Sequence, residues 1–152
     1  MINKLKIFSI LFFYLFCFNS YSSEEFNFNV TEVQILENGN KFIGTKRGQI
    51  ETNEGVIIDA DNFEYYKNLN ILNASGNVKI NDTINNYIIY SDKIIYKKKE
   101  NLIYTKNNSR AISLNDKTEI YANNFEYNIN KNEIIADQNV IYKNELQDYQ
   151  IS

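Results

Sequence analysis

Histidine, tryptophan and proline are all absent from this sequence of 152 residues, which contains a single cysteine, Cys17, and only five glycines. Histidine is the usual general base near neutral pH and, together with cysteine, a common zinc ligand. The lack of histidine and the single thiol therefore argue against a zinc enzyme and against a cysteine-based enzyme.

The apolar content and the charge place the chain among globular proteins. It is 43% hydrophobic and 23% charged, with a formal net charge of −3 at pH 7. This combination is too apolar and too weakly charged for intrinsic disorder, and the length suits one domain. Because the chain is acidic and has no strongly basic face, we expect no nucleic acid among its partners.

The first 22 residues have the features of a secretory signal peptide. A basic start precedes an apolar run over 7–18, and serines spaced as in a cleavage site follow it. An uncleaved anchor is the alternative, but the run is shorter than the about 20 apolar residues that span a bilayer. The sequence predicts cleavage after Ser22, loss of Cys17 with the peptide, and export of 23–152 as one domain.

The rest of the chain repeats one motif every 31 residues. Self-similarity at a fixed period is typical of proteins built from stacked structural repeats. A degenerate first copy precedes three clearer ones. Equivalent positions of the three copies are Ile58, Ile89 and Ile120; Ala60, Ser91 and Ala122; Phe63, Ile94 and Phe125; Tyr65, Tyr96 and Tyr127; Asn70, Asn101 and Asn132; Leu72, Ile103 and Ile134; Ala74, Thr105 and Ala136; and Asn77, Asn108 and Asn139.

Each copy reads as two β-strands joined by a polar turn. Apolar and polar residues alternate with a period of two, which is typical of an antiparallel sheet with one covered face. Between Ala60 and Phe63 the apolar phase shifts by one residue, and the same shift recurs in the later copies. This shift predicts a β-bulge, and the fold class predicted is all-β.

The alternation assigns one set of side chains to the inner face of the sheet. Two interpretations stay open: an interdigitated core of large and small residues, or a folded sheet whose inner faces are held apart to form an apolar trough for a lipid. The residues predicted to face inward are Ile58, Ala60, Phe63, Tyr65, Leu72, Ala74, Val78, Ile80, Ile94, Tyr96, Ile103, Ile120, Ala122, Phe125, Tyr127, Ile134, Ala136 and Val140.

One stretch resembles the OstA-like domain: Asp61-x-Phe63-x-Tyr65, a polar turn, then Leu72-x-Ala74-x-Gly76-Asn77-Val78-x-Ile80. This domain is shared by the lipopolysaccharide-transport proteins LptA and LptC and the N-terminal part of the outer-membrane assembly protein LptD. The resemblance covers about 26–149. The last copy departs from it, with Asp137-Gln138 where Ser75-Gly76 stand.

The resemblance implies a β-jellyroll, folded like a taco, that stacks edge to edge with related transport proteins in the periplasm. It implies lipopolysaccharide as the ligand, with acyl chains in a groove lined by the inward-facing residues, and it implies no catalytic residue, no metal and no cofactor. The opening 26–33, followed by Gly39 and Gly44, is most similar to the LptD type. That similarity implies an outer-membrane barrel, either as a partner or as a missing C-terminal part.

The absence of proline bears on the same expectation. Natural sheets often blunt exposed edges with proline or charge, so terminal strands without proline are suited to pairing with another chain. An exported structural β-solenoid or adhesin-like repeat with a dry core is the alternative function.

Three polar features receive structural interpretations. Lys97–Lys99 are expected to be solvated at a hairpin turn, with contact to lipid phosphates as the alternative. Asp59 and Asp61 are expected to place charge on the outer face, because two acids at i and i+2 without a glycine-rich loop form no calcium site. Asn70, Asn101 and Asn132 are expected to supply turn geometry, with stacked hydrogen bonding as in a β-solenoid as the alternative.

A further copy of the motif begins where the sequence stops. Adding 31 to position 120 gives Ile151, which is followed by Ser152. A repeat domain normally ends with a polar cap. We therefore expect this sequence to be the N-terminal part of a longer protein whose remainder continues the sheet.

Overall fold

The computed structural model describes residues 26–144 and the backbone of 149–151. The predicted signal peptide lies outside the described residues, so its cleavage stays a prediction. Within the described part, thirteen strands form one sheet, and Glu37–Gly39 and Lys98–Glu100 form short 3-10 turns. The strands are β1 (Phe26–Leu36), β2 (Lys41–Thr52), β3 (Val56–Ala60), β4 (Asn62–Tyr66), β5 (Ile71–Asp82), β6 (Tyr87–Lys97), β7 (Leu102–Lys106), β8 (Ser109–Ser113), β9 (Thr118–Ala122), β10 (Asn124–Asn128), β11 (Glu133–Asp137), β12 (Ile141–Asn144) and β13 (Tyr149–Ile151).

All strand pairs in this sheet are antiparallel, which confirms the predicted all-β class. The ladder also reproduces the 31-residue period. Ile58 aligns with Ile80 and then Ile89, and Ile120 aligns with Tyr142 and then Ile151. Each copy of the motif therefore adds the same two strand steps.

The sheet is folded into two leaves because its long strands pass from one to the other. β5 pairs with β4 along 71–75 and with β3 along 79–82, and β6 passes from β8 to β7 in the same way. Leaf A comprises β3, β8, β9, β12 and β13 with the adjoining halves of β1, β2, β5 and β6. Leaf B comprises β4, β7, β10 and β11 with the other halves.

The phase shift in the sequence marks the corner, which is the line where the chain crosses between the leaves. Here the β5–β6 register shifts between Ser75 and Val78, and β3 gives way to β4 at Asp61. One side-chain hydrogen bond recurs there with the repeat: Asn77 Nδ2 to Asp61 Oδ2 at 2.7 Å, Asn108 Nδ2 to Asp92 Oδ2 at 2.7 Å, and Asn139 Nδ2 to Asn123 Oδ1 at 3.3 Å. The predicted bulge is thus the fold line of the whole sheet.

Asparagines also form the turns of leaf B. Asn70, Asn101 and Asn132 have φ of 54°, 49° and 53°, a left-handed conformation that asparagine tolerates better than most residues. The Lys98 amide donates to the Asn70 carbonyl, and the Ile129 amide donates to the Asn101 carbonyl, both at 3.0 Å. Successive turns are therefore bonded to one another, and the predicted role of these asparagines in the turns is confirmed.

The core lies between the two leaves and is built from the predicted inner-face residues. Ile120, Ile134 and Ala136 are partly buried against it. The buried members of the prediction are Ile58, Ala60, Phe63, Tyr65, Leu72, Ala74, Val78, Ile80, Ile94, Tyr96, Ile103, Ala122, Phe125 and Tyr127.

Val140 differs from its predicted inward position, because it is 41% exposed. It lies at the last corner, just before β12, and the pairing of β12 with β9 begins only at Ile141. The equivalent Val78 is buried and pairs with Ser91 of β6. None of the described strand pairs includes Val140, so its side chain stays accessible to solvent.

Candidate functional site: the apolar interior between the leaves

Matched rows of small and large side chains line the interior close to the corner. Ala60 and Ala122 lie at the end of strands in leaf A, and Phe63 and Phe125 lie three residues later in leaf B. All four belong to one cluster of buried residues. Small side chains on the leaf A side of the corner are therefore followed by large rings on the leaf B side.

The interior is filled by side chains in this structure. Tyr96, Tyr127, Phe63 and Phe125 are among the largest side chains that are fully buried, and such packing is the state in which apolar surface is best removed from water. Of the two interpretations left open by the sequence, the interdigitated core describes this closed state. Contact of these residues with a lipid stays a prediction.

Seven buried apolar residues in the described part of the chain were not among those predicted from the sequence: Phe26, Ile50, Val56, Ile89, Leu102, Ala111 and Ile129. Ile89 belongs to a set of equivalent repeat positions, and Ile50 belongs to the degenerate first copy, so the period itself could have identified both. Phe26 lies at the start of β1, where the alternation of Phe26, Phe28 and Val30 was the available signal.

Aromatic rings close the end of the interior that lies under β1. The Phe26 ring centroid is 4.8 Å from that of Tyr65 and 5.7 Å from that of Tyr96. Phe28 lies 5.7 Å from Tyr65 and stacks on Phe42 at 5.9 Å. Ring pairs at these distances attract each other beyond simple area burial, so this end is tightly sealed.

Leaf B ends in strands with one partner each. β1 pairs with β2 and β11 pairs with β10, and within the described residues neither has a second neighbour. Val33, Ile35 and Leu36 of β1 are exposed, as is Ile135 of β11. Exposed apolar residues beside unpaired backbone groups favour pairing with another strand.

A buried carboxylate interrupts the apolar interior on the side opposite the corner, which we call the mouth. Asp82, at the end of β5 in leaf A, is fully buried. It accepts hydrogen bonds from the amides of Ile84 and Asn85 at 3.0 and 2.8 Å, and from the Tyr127 hydroxyl of leaf B at 2.6 Å. The pKa of Tyr127 lies far above its ordinary value. Burial makes the largest contribution to this increase, and the hydrogen bond to Asp82 makes the next largest. The Tyr127 hydroxyl therefore keeps its proton and remains a donor to Asp82.

An ion pair forms a second polar contact across the mouth. Lys98, in the leaf B turn after β6, is 7% exposed and pairs with Glu54, in the leaf A turn after β2. Burial raises the pKa of Glu54, but the hydrogen bond and charge of Lys98 lower it further, so it lies below its ordinary 4.5. The prediction of a fully solvated lysine cluster is therefore wrong for Lys98, since its side chain reaches across the mouth.

The two aspartates expected on the outer face have different environments. Asp59 lies 3.4 Å from Gln49 Nε2, on the outer side of leaf A. Asp61 lies at the corner. Its pKa is lowered most by a hydrogen bond from Asn77 and next by one from Arg47. The Arg47 bond is 2.9 Å long. Asp61 therefore contributes to folding the sheet as well as to surface charge.

Within residues 26–144, no group of three or more acidic, cysteine or histidine side chains is arranged to hold a metal ion. In the same part of the chain, no helix is both long enough and apolar enough to cross a membrane. What the described arrangement offers chemically is apolar surface enclosed between two leaves, with polar contacts at the mouth and exposed strand edges.

Comparison with known proteins identifies the fold. No protein-family model matches the sequence, and no curated protein matches it. Among solved structures, the chain is similar to LptH, the LptA-homologous periplasmic component of the conserved lipopolysaccharide transport device from Pseudomonas aeruginosa. The TM-score is 0.65 at 9% sequence identity, and the match covers 74% of this chain and 82% of that chain. The β-jellyroll implied by the sequence resemblance is thus the observed fold.

Proposed function

We propose that this chain is a periplasmic member of the OstA-like family and that it shields the acyl chains of lipopolysaccharide during transport to the outer membrane. The observation that carries the proposal is the fold: one antiparallel sheet bent over a continuous apolar interior, with an overall fold similar to that of LptH. The repeated motif that resembles the OstA-like domain lies on this interior.

The physical need for such a shield is large. Each CH₂ group exposed to water costs about 0.8 kcal/mol, so a lipid with several acyl chains cannot cross an aqueous gap uncovered. The residues that would contact the chains are the inward-facing set, in which equivalent apolar positions recur with the repeat. Recurring equivalent sites suit movement along the interior better than one tight pocket does.

The exposed strand edges support stacking with related transport proteins. β1 and β11 lie at opposite ends of leaf B, and both carry exposed apolar side chains. Pairing of an edge with a strand of another molecule would extend the sheet and the interior together. We propose other OstA-like proteins as the partners at these edges.

The finer assignment is to the N-terminal part of an LptD-type protein. It is supported by the opening 26–33 with Gly39 and Gly44, and it places an outer-membrane barrel beside this domain, as a partner or as a further part of the same protein. Export through the predicted signal peptide and association with the outer membrane belong to the same proposal.

Site-specific photocrosslinking in cells tests the function directly. A photoreactive phenylalanine analogue at Phe63 or Val78, both buried in the interior, should crosslink to lipopolysaccharide. The same analogue at Asn73 or Lys79, which alternate with inner residues on the same strand, is the matched control and should not. Equal crosslinking from both faces, or none from the interior, would reject lipid carriage.

The filled interior supports one alternative, an exported structural repeat protein with a dry core. Its antiparallel ladders distinguish the fold from parallel β-solenoids, so the alternative concerns the role rather than the architecture. The crosslinking experiment decides between the two, because a permanently dry core gives no lipid adduct from Phe63 or Val78.

A further inference from the structure

The mouth is held shut by two polar contacts that join the leaves. It is bounded by the leaf A turns 53–55 and 83–86 and by the leaf B turns 98–101 and 129–132. We call the Glu54–Lys98 ion pair latch 1, and the bonds joining Asp82 and Asn85 to Tyr127 and Ile129 latch 2.

Latch 2 breaks the pattern of the repeat. Tyr65 and Tyr96 donate their hydroxyls to Asn70 and Asn101 of their own turns, at 3.0 and 3.1 Å. The third equivalent residue, Tyr127, instead donates across the mouth to Asp82.

Asn85 reinforces this contact from leaf A. Its Nδ2 lies 3.1 Å from both the Tyr127 hydroxyl oxygen and the Ile129 carbonyl oxygen. The hydroxyl partner of Tyr127 therefore departs from the repeat, and the departure connects the leaves.

Latch 1 lies at the neighbouring turns, and it also needs both leaves closed. If the leaves part, Lys98 loses its partner Glu54 and both groups gain water. A charge pair that water can replace costs little to open, whereas an unpaired charge kept in a closed interior would be expensive.

Two sides of the interior are closed by the described contacts. Chain continuity and a repeated hydrogen bond hold the corner, and five aromatic rings seal the end under β1. In contrast, each of the contacts described across the mouth involves at least one side chain. None of the described strand pairs crosses it, so the mouth can open without breaking a strand ladder.

We propose that the leaves separate at the mouth, that apolar chains enter the interior sideways through it, and that latches 1 and 2 set how readily it opens. This inference rests on the proposed function for the identity of the ligand, but the opening itself is a property of this chain.

A disulfide across the mouth tests the route. Asn85→Cys with Ile129→Cys, in a chain carrying Cys17→Ser, places two thiols where side chain and backbone already touch. The matched control is Asn73→Cys with Ile95→Cys, a directly paired position on the outer face of leaf B that joins strands within one leaf. The probe is fluorescently labelled lipopolysaccharide.

The oxidised mouth variant should bind the probe at least tenfold more weakly than its reduced form, and the control should bind equally in both forms. Equal binding by the oxidised and reduced mouth variant would overturn the sideways route and leave the proposed function standing. Absence of binding by the unmodified chain would instead reject the proposed function.

A measurement without lipid tests the latches separately. Spin labels at Ile84→Cys and Lys131→Cys, on exposed turns of leaf A and leaf B, report the width of the mouth. Combining Tyr127→Phe with Lys98→Met should add a longer population to the distance distribution. If the combination does not fold, as judged by circular dichroism, Tyr127→Phe alone is used. An unchanged distribution in the folded variant would overturn the inference, whatever the outcome with lipid.

Discussion

Tyr127 shows how one residue of a repeat can acquire a role that its equivalents lack. All three tyrosines of the set are buried, and alternation alone predicts that. The partner of Tyr127 is Asp82, 45 residues away in sequence and in the opposite leaf. No local pattern predicts such a contact, because it depends on how the folded leaves meet.

Tyr127→Phe should lower the free energy of unfolding by about 1–3 kcal/mol, since Asp82 loses a buried donor. Tyr104→Phe, on the outer face of β7, is the control and should change stability by less than about 0.5 kcal/mol. Urea denaturation followed by circular dichroism measures both. Equal effects would mean that the cross-mouth bond contributes nothing specific.

The acid sensitivity of the fold also follows from single residues. Hydrogen bonds from Arg110 and then Tyr121 lower the pKa of Glu119 below its ordinary 4.5. A carboxyl whose pKa is lower in the folded state stabilises the protein above the unfolded value, and this contribution is lost as the pH falls through the folded value. The urea midpoint should therefore decrease below about pH 4.5, and in Glu119→Gln it should decrease less steeply.

At the scale of elements, the corner is the feature that the sequence predicted most usefully. The phase shift between Ala60 and Phe63 correctly located an irregularity, and the β5–β6 register shifts at the same line. The shift in phase did not predict that the chain passes there from one leaf to the other. The pattern locates the break, but the angle between the leaves depends on packing of the inner rows, which is a tertiary effect.

Gly76 gives a direct test of the corner. Its φ is +78°, and an added Cβ would lie 2.6 Å from Asp61 Oδ2. Gly39 has a similar φ of +87° with open space around it, so it is a matched control. Gly39→Ala should cost about 1 kcal/mol from backbone conformation alone, and Gly76→Ala should cost clearly more in the same thermal or urea measurement. Equal costs would show that Asp61 moves aside freely.

At the scale of the whole molecule, the inner face was predictable because each strand has one covered side. The prediction was wrong at Val140, and Lys98 is buried where solvation was expected. Val140 lies just before β12 and Lys98 lies in a turn. The burial of each side chain depends on which segment, distant in sequence, packs against it. The filled interior was also beyond prediction, because a packed core and an open trough require the same alternation.

Introducing a charge by mutation should distinguish the inner face of the sheet from the outer face, because the cost in stability differs between them. Ala74→Lys would bury an unpaired charge and should cost more than about 3 kcal/mol. Asn73→Lys, one residue earlier on the outer face, should have little effect, and Ala136→Lys should be intermediate because that position is only partly buried. Similar losses for Ala74→Lys and Asn73→Lys, measured by chemical denaturation, would contradict the inward assignment.

The number of repeat copies also sets the length of the apolar interior. Neighbouring strands of a sheet lie about 4.8 Å apart, so the two strand steps of each copy lengthen each leaf by about 10 Å. The nine-strand path from β1 to β13 then measures about 38 Å. Because the length of the interior grows in steps of one copy, a gap twice as wide would need about four more copies, or a second molecule joined end to end.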